Sequence, residues 1–267
     1  MFGAVLVDKY LPAVRLWFDT LGSTMTTVAL IGGDGSGKST LADSLRRDLP
    51  MPVKYIYMGA NLESSNYSLP WSKLALKLKL RKLARSAKER GITDPGYVST
   101  HHMSHRQQPT SLIRTVLRLS NRLLEVAYRN LVAIRWQRQG HLVLFDRHFL
   151  FDTFLKDGPF WSAGNIEKVD RIYYWILLHV FPQPDLILFL DADPEVMVAR
   201  KQEATVEYLR ERNAYWRTQG RDFESFVIID ANHEAPQVAK DAEMVIMTYI
   251  DSGLVGAADG SVRESEL

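Results

Sequence analysis

The sequence predicts a three-layer α/β domain in which helices cover both faces of a five-stranded parallel sheet. Two observations predict this fold class: five short apolar runs recur along the chain, and amphipathic helical patterns separate them. Strands that alternate with helices join through right-handed crossovers, which place the strands parallel to one another. The chain has 267 residues, of which 46% are hydrophobic, so it can bury the core that such a domain needs.

The predicted strands are runs of consecutive apolar residues, a pattern that indicates strands buried on both faces of the sheet. In chain order they are TTVALI (26–31), VKYIYM (53–58), LVLFD (142–146), DLILFL (185–190) and FVIID (226–230). Helical periodicity predicts helices at 40–48, 111–139, 169–179, 195–217 and 236–250. Together these elements form a predicted domain of residues 24–250.

Three segments lie outside the alternation of strands and helices. Residues 1–23 are a predicted amphipathic helical appendage that packs on the domain or contacts a membrane or a partner. The Gly-, Ala- and Ser-rich residues 251–267 are predicted to form a flexible tail. Residues 59–110 form a predicted insertion, in which a basic helix at 71–90 precedes a polar loop with His101, His102 and His105. No carboxylate or cysteine directly accompanies these histidines, so we interpret the loop as polar rather than metal-binding.

Composition excludes several classes of site. The chain contains no cysteine, which excludes disulfides, thiolate zinc sites and cysteine nucleophiles and agrees with a reducing compartment. No apolar run is as long as a membrane-spanning helix, which needs about 20 residues. The N-terminus lacks the pattern of a cleaved signal peptide. We therefore expect a cytoplasmic protein.

The basic residues are concentrated in one part of the chain. Residues 71–138 carry 15 Lys or Arg and 3 Asp or Glu, although the whole chain has a formal net charge of only +2. Within the helix at 71–90, an apolar stripe is formed by Leu76, Leu80, Leu83 and Ala87. Three interpretations stay open: a solvated helix packed through its leucines, a face that attracts an anionic acceptor or a membrane surface, and a nucleic-acid site. Nucleic acid is disfavoured because no aromatic residues interleave with the charges.

A glycine-rich motif follows the first predicted strand. Residues 32–39, GGDGSGKS, fit the pattern G-x-x-x-x-G-K-[ST], and a helix follows them, as in P-loop NTPases. The glycines let successive backbone N–H groups face one anion, and the helix N-terminus adds its positive end. Lys38 would reach the β- and γ-phosphates of a nucleotide, and the Ser39 hydroxyl would hold Mg²⁺. The predicted nucleotide-binding residues are Gly32, Gly33, Asp34, Gly35, Ser36, Gly37, Lys38, Ser39 and Thr40.

A second cluster ends the third predicted strand. Asp146 is the last residue of that strand and Arg147 follows it, so both face the crevice that the glycine-rich loop also faces. The carboxylate could bind Mg²⁺ or accept a proton from the attacking group. The guanidinium could neutralise an anionic acceptor or the phosphoryl group in transfer.

A third cluster follows the fourth predicted strand. We interpret Asp191 and Asp193 as mainly structural, with Asp193 capping the helix that Pro194 begins. Arg200 and Lys201 lie two turns into that helix. They could fold over the nucleotide as a lid, or belong to a solvated helix face.

The three clusters, in this order, resemble the thymidylate kinase family of P-loop nucleoside monophosphate kinases. GGDGSGKST (32–40) looks like that family's G-x-D-G-x-G-K-[ST]-T loop, and LFDRHFLFDTF (144–154) resembles its DRY or DRH segment. PDLILFLDADPEVMVARK (184–201) is similar to its fourth strand and the helix that leads to the lid. YLRERNAYW (208–216) and FVIIDANHEAPQVAKDA (226–242) resemble its closing helix, last strand and last helix. The resemblance covers about residues 26–50 and 120–250.

The resemblance implies an enzyme with ATP and Mg²⁺ as cofactors. By it, Lys38, Ser39 and Asp146 would bind the nucleotide phosphates and Mg²⁺, and Arg147 would meet the phosphate of the acceptor. Arg200, together with Lys201, would supply the cation of the lid. A homodimer through the long helix is also suggested by the family.

Two departures from the family concern the acceptor. The family's Arg-Glu-Pro-Gly segment after the second strand is replaced by MGANLESSNYSLP (58–70). The family also has an arginine on its long helix, and the corresponding position in this chain falls near Glu125. Arg122 and Arg129 lie one turn away from that position. We therefore expect transfer of the γ-phosphoryl of ATP to a small phosphorylated acceptor, such as a nucleoside monophosphate, with dTMP the best single candidate. The alternatives are a kinase of a nucleoside or phosphosugar, and a nucleotide-dependent module that docks on a membrane or anionic polymer.

Overall fold

In a computed structural model of the chain, the described residues are arranged about a five-stranded sheet. These are residues 26–59, 65–89, 112–148, 168–202, 204–220, 223 and 225–263. The strands are β1 (Thr27–Ile31), β2 (Val53–Tyr57), β3 (Leu142–Asp146), β4 (Leu186–Asp191) and β5 (Phe226–Asp230). The helices are α1 (Lys38–Asp48), α2 (Pro70–Glu89), α3 (Leu112–Arg138), α4 (Lys168–Val180), α5 (Pro194–Arg200), α6 (Val206–Gly220) and α7 (Ala235–Arg263).

The sheet has the strand order β2-β3-β1-β4-β5, and each of its four pairings is parallel. Asp146, at the end of β3, pairs in register with Leu30 of β1 on one side and with Tyr57 of β2 on the other. The carboxyl ends of these strands therefore meet at one edge of the sheet, where parallel α/β folds bind their ligands. The predicted fold class, a parallel five-stranded α/β sheet covered by helices, is confirmed.

Both faces of the sheet are covered at its three central strands, β1, β3 and β4, which explains why these strands are buried and almost entirely apolar. Along β1, Val28 and Leu30 belong to a core that includes side chains of α1 and α7, whereas Ala29 and Ile31 belong to a core that includes side chains of α3 and α4. Because successive strand residues point to opposite faces, every position of a strand between two helical layers favours an apolar side chain.

One predicted helix is two helices in the structure. The interval 195–217 is divided into α5 and α6, and Lys201 between them has an extended backbone. The hydroxyl of Thr205 accepts a hydrogen bond from the Tyr208 N–H at 3.3 Å, so Thr205 caps the start of α6. The prediction of one continuous helix was wrong because the helical periodicity on the two sides of this cap runs together in the sequence.

The last helix is longer than predicted. α7 continues to Arg263, whereas its predicted end is residue 250 and residues 251–267 were expected to form a flexible tail. The tail contains Leu254, Val255 and several alanines, and each glycine in a helix costs only about 1 kcal/mol relative to alanine. Residues 1–23 and the loop with His101, His102 and His105 lie outside the described residues. None of the described helices combines the length and apolarity needed to cross a bilayer.

Candidate nucleotide-binding site

The glycine-rich loop between β1 and α1 has a backbone that depends on glycine. Gly35 and Gly37 have φ angles of 90° and 93°, in the left-handed region that side chains disfavour. A Cβ at Gly35 would meet the carbonyl oxygen of Met197, whereas one at Gly37 would have no neighbour within 4 Å. The loop closes through a 3.2 Å hydrogen bond from the Ser36 N–H to the Gly33 carbonyl, and the Leu41 N–H bonds the Gly37 carbonyl at 2.9 Å as α1 begins.

Lys38 lies buried inside this loop. Its Nζ donates hydrogen bonds to the carbonyl oxygens of Gly32 at 2.9 Å and Gly33 at 2.7 Å. The pKa of Lys38 is lowered to about 8, first by burial and then by the nearby charge of Arg147, although Asp146 and Asp34 act in the opposite direction. The loop therefore holds a cation that is short of compensating charge, which is a favourable setting for an anion.

Asp146 projects from the end of β3 beside the loop and is buried. Its Oδ2 accepts a 2.7 Å hydrogen bond from the hydroxyl of Tyr55 on β2. Burial is the main cause that raises the pKa of Tyr55, and this hydrogen bond is the second. Its Oδ1 is buried and accepts no hydrogen bond from the described residues. A buried carboxylate oxygen without a partner is costly, so Oδ1 is available for a cation or a bound water.

Arg147 follows Asp146 in a strained conformation. Its φ is 58°, in the left-handed region that costs a residue with a side chain roughly 1–2 kcal/mol. Its guanidinium forms an ion pair with Asp34 in the middle of the glycine-rich loop. The strained turn thus directs a cation to the loop.

The structure places the predicted residues of the first two clusters together. The loop, Lys38, Asp146 and Arg147 form one contiguous site at the carboxyl edge of the sheet. Ser39 and Thr40 are exposed on the first turn of α1, at the helix N-terminus.

The third cluster is arranged differently. Arg200 is exposed at the end of α5, and its Nη1 donates a 3.2 Å hydrogen bond to the carbonyl of Ala231 after β5. Lys201 is also exposed. Arg212, on α6, is near enough to Lys38 for its charge to lower the pKa of that lysine. Sequence reasoning missed Arg212, although the basic pattern YLRER was a signal that could have indicated it.

The carboxylate of Asp191 has the structural role that the sequence predicts. Arg217 of α6 donates to it through two hydrogen bonds of 2.7 and 2.8 Å, and Asn213 donates one of 3.3 Å. Asn213 also donates to the carbonyl of Ala192 at 2.9 Å. These bonds fasten α6 to the end of β4. Asp193 occupies the N-cap position of α5, but its side chain makes no capping hydrogen bond.

The predicted acceptor side contains a buried ion pair. Arg129 of α3 donates to the carbonyls of Gly59 at 3.0 Å and Tyr67 at 3.1 Å, which flank the segment after β2. Glu125 lies one turn away, with 3.7 Å between its Oε2 and Arg129 Nη2, and its Oε1 accepts the Leu69 N–H at 3.1 Å. Burial lowers the pKa of Arg129. These two side chains are therefore engaged in holding the segment after β2.

Arg122 lies one turn before Glu125 on α3 and is exposed. Its guanidinium stacks on the ring of Tyr173 from α4, with 3.8 Å to the ring centroid. Unlike Arg129, it is accessible to solvent.

The glycine-rich loop has the sequence pattern of P-loop NTPases, and the fold is similar to that of a thymidylate kinase. No protein-family model matches the chain. The structure of thymidylate kinase from Candida albicans aligns with a TM-score of 0.52 and 20% sequence identity, covering 84% of this chain and 92% of that one. The "Uncharacterized ATP-binding protein YghS" of Escherichia coli (strain K12) is 25% identical over 227 residues, covering 79% of this chain and 88% of that protein. These two matches support the resemblance to thymidylate kinase-like P-loop kinases that the sequence motifs indicate.

Proposed function

We propose that the chain is an ATP- and Mg²⁺-dependent phosphotransferase that moves the γ-phosphoryl of ATP to a small phosphorylated acceptor. The observation that carries the proposal is the grouping of Lys38, Asp146 and Arg147 around one glycine-rich loop. A relative described as ATP-binding and a thymidylate kinase neighbour support it.

The residues present fit a magnesium ion. Asp146 Oδ1 is a buried oxygen with no hydrogen-bond donor among the described residues, and carboxylate oxygens are ligands that Mg²⁺ accepts. Ser39, at the start of α1, would supply the second protein ligand. When bound, Mg²⁺ neutralises charge on the β- and γ-phosphates.

The chain's own residues then act by position and charge. Lys38 would exchange the loop carbonyls for phosphate oxygens, because an anion favours its protonated form more than neutral carbonyls do. The loop N–H groups and the N-terminus of α1 would hold the phosphates in line. Arg147 would bind the acceptor phosphate, and Asp34 would keep its guanidinium at the loop.

The lid part of the proposal uses three cations. Arg200 and Lys201 lie at the end of α5, where a rearrangement of residues 201–205 would be needed to bring them over the nucleotide. Arg212 on α6 already lies near Lys38 and would add charge stabilisation without such a change.

For the acceptor, dTMP is our best single candidate within the class of small phosphorylated molecules. Arg122, exposed beside Tyr173, is a second cation that supports an anionic acceptor. We do not assign this role to Arg129, since it is buried and donates to the carbonyls of Gly59 and Tyr67. A homodimer through α3 belongs to the same proposal, supported by an exposed apolar row on that helix formed by Ile113, Leu117, Leu124 and Leu131.

Isothermal titration of ATP tests the binding half of this proposal. We expect Lys38→Met to weaken ATP binding about 100-fold, because the cation at the phosphates is lost, and the exposed Lys240→Met to leave it unchanged. In the absence of Mg²⁺, Asp146→Asn should bind ATP with the same affinity as the natural protein. Equal ATP affinity in Lys38→Met and the natural protein would refute the proposed phosphate site.

A further inference from the structure

α2 carries a second apolar stripe, on the side away from the leucines that its periodicity identifies. Trp71, Leu74 and Leu78 are 54%, 57% and 55% exposed. Their spacings of three and four residues place them on one face of the helix. Leu76 and Leu80, on the other side, are partly buried. The helix thus presents a row of large apolar side chains on the side opposite its partly buried leucines, and this side is called its outer face.

The N-terminal end of α2 is fixed to α3. The indole N–H of Trp71 donates to Asn121 Oδ1 at 2.8 Å, and the amide of Asn121 donates to the Ser72 hydroxyl at 3.2 Å. Just before the helix, the Leu69 N–H donates to Glu125 at 3.1 Å. The outer stripe therefore belongs to a helix with a defined attachment.

Basic residues border the stripe on both sides. The helical repeat places Lys77 and Arg81 along one border and Lys79 and Lys82 along the other, and all four are exposed. The helix contains seven Lys or Arg residues and one acidic residue, Glu89. A row of apolar side chains between two rows of cations is complementary to a surface with anionic headgroups above an apolar layer.

We propose that the outer face of α2 docks the protein on an anionic lipid surface. The helix lies in the plane of the interface, with Leu74 and Leu78 inserted between headgroups and Trp71 at the headgroup level that Trp prefers. The bordering lysines and arginines bind lipid phosphates and carboxylates, an attraction that anionic lipids supply and neutral ones do not. Docking goes beyond the proposed phosphotransfer and does not require ATP.

Lipid fits this face better than nucleic acid does. Phosphodiester chains are bound by cations with aromatic rings for the bases to stack on, and the outer face has a single aromatic ring at one end. Leu74 and Leu78 would stay in water in such a complex, whereas at a bilayer their exposed area is removed from water.

Sedimentation of the full chain with vesicles tests the proposal. The vesicles contain phosphatidylcholine alone, or phosphatidylcholine with phosphatidylserine. One variant, Leu74→Ser/Leu78→Ser, removes apolar groups and another, Lys77→Gln/Arg81→Gln/Lys82→Gln, removes charge. Matched controls change exposed residues elsewhere: Ile172→Ser/Met244→Ser and Arg135→Gln/Arg138→Gln/Lys240→Gln. ATP affinity is measured for every variant to show that the fold is intact.

We expect the natural protein to bind the phosphatidylserine vesicles and to release them as salt is raised. The charge variant should lose on the order of 100-fold in partition coefficient, since it removes three basic residues and each contributes about a factor of five. The leucine variant should lose roughly tenfold or more, and both controls should bind normally. Failure of the natural protein to bind, or binding that survives both α2 variants, would overturn the proposal. So would tighter binding to single-stranded RNA that the charge variant abolishes and the leucine variant leaves unchanged.

Discussion

Gly35 and Gly37 have the same left-handed backbone conformation in different surroundings. A Cβ would meet the Met197 carbonyl at the first position and open space at the second. We predict that Gly37→Ala lowers the free energy of unfolding by about 1–2 kcal/mol, the cost of the conformation alone, and that Gly35→Ala lowers it by more. Urea unfolding of the nucleotide-free protein measures both. Equal losses would show that Met197 does not restrict the loop.

Arg147 has a strained backbone that places its charged side chain beside the glycine-rich loop. Its φ of 58° is strained for arginine and acceptable for glycine. We predict that Arg147→Gly is more stable than Arg147→Ala by about 1 kcal/mol, while both lose phosphotransfer because neither has a guanidinium. Thermal unfolding and turnover measured side by side check this. An alanine variant as stable as the glycine variant would argue against strain at this residue.

Tyr55 positions the carboxylate of Asp146. Without the 2.7 Å hydrogen bond from its hydroxyl, Asp146 has more freedom to leave the orientation that directs Oδ1 into the site. We predict that Tyr55→Phe lowers kcat about tenfold and raises the Mg²⁺ concentration needed for half-maximal rate, with ATP affinity in the absence of Mg²⁺ unchanged. Tyr249→Phe, at a partly buried tyrosine of α7, is the control. A magnesium requirement equal to that of the natural protein would contradict the positioning role.

The residues that the sequence could identify are those whose signal is local. Lys38 and Asp146 each belong to a short motif that ends a strand or begins a helix. Tyr55 contacts Asp146 across 91 residues of chain, and Arg129 contacts Gly59 across 70. The residues next to Tyr55 and Arg129 in the sequence do not indicate these contacts, because each contact forms only when β2, β3 and α3 are assembled.

At the scale of elements, α3 holds the segment after β2 through one buried cation. Arg129→Met would leave Glu125 buried without its partner, so we predict a loss of about 3–5 kcal/mol in the free energy of unfolding. Glu125→Gln should cost less, and the double variant should cost less than the sum of the two. Urea unfolding of all three variants measures the coupling. Strict additivity would show that the two charges do not depend on each other.

Strands were easier to predict than helix ends. A strand buried on both faces must be apolar at every position, so its limits are visible in the composition. The break between α5 and α6 is marked by the extended backbone of Lys201 and by the side-chain cap of Thr205, and neither residue type by itself indicates a helix end in the sequence. The break bears on the site, since it separates Arg200, which donates to the Ala231 carbonyl, from Arg212, whose charge acts on Lys38.

At the scale of the whole molecule, the proposed homodimer can be tested through α3. Leu117 and Leu124 are 63% and 51% exposed and lie seven residues apart on that helix. We predict that Leu117→Glu/Leu124→Glu shifts the protein from dimer to monomer, because burying two carboxylates in an apolar contact is unfavourable. Light scattering after size exclusion gives the mass. A natural protein that is monomeric at all concentrations would refute the dimer.

Phosphoryl transfer itself is the central claim, and an acceptor panel with γ-labelled ATP tests it most directly. The panel contains dTMP, the other nucleoside monophosphates, nucleosides and phosphosugars, each with and without Mg²⁺. We expect the label in at least one phosphorylated acceptor, only with Mg²⁺, and a loss of about 100-fold or more in Asp146→Asn. Tight ATP binding with no labelled acceptor in the panel, or transfer that Asp146→Asn leaves intact, would contradict the proposed phosphotransferase.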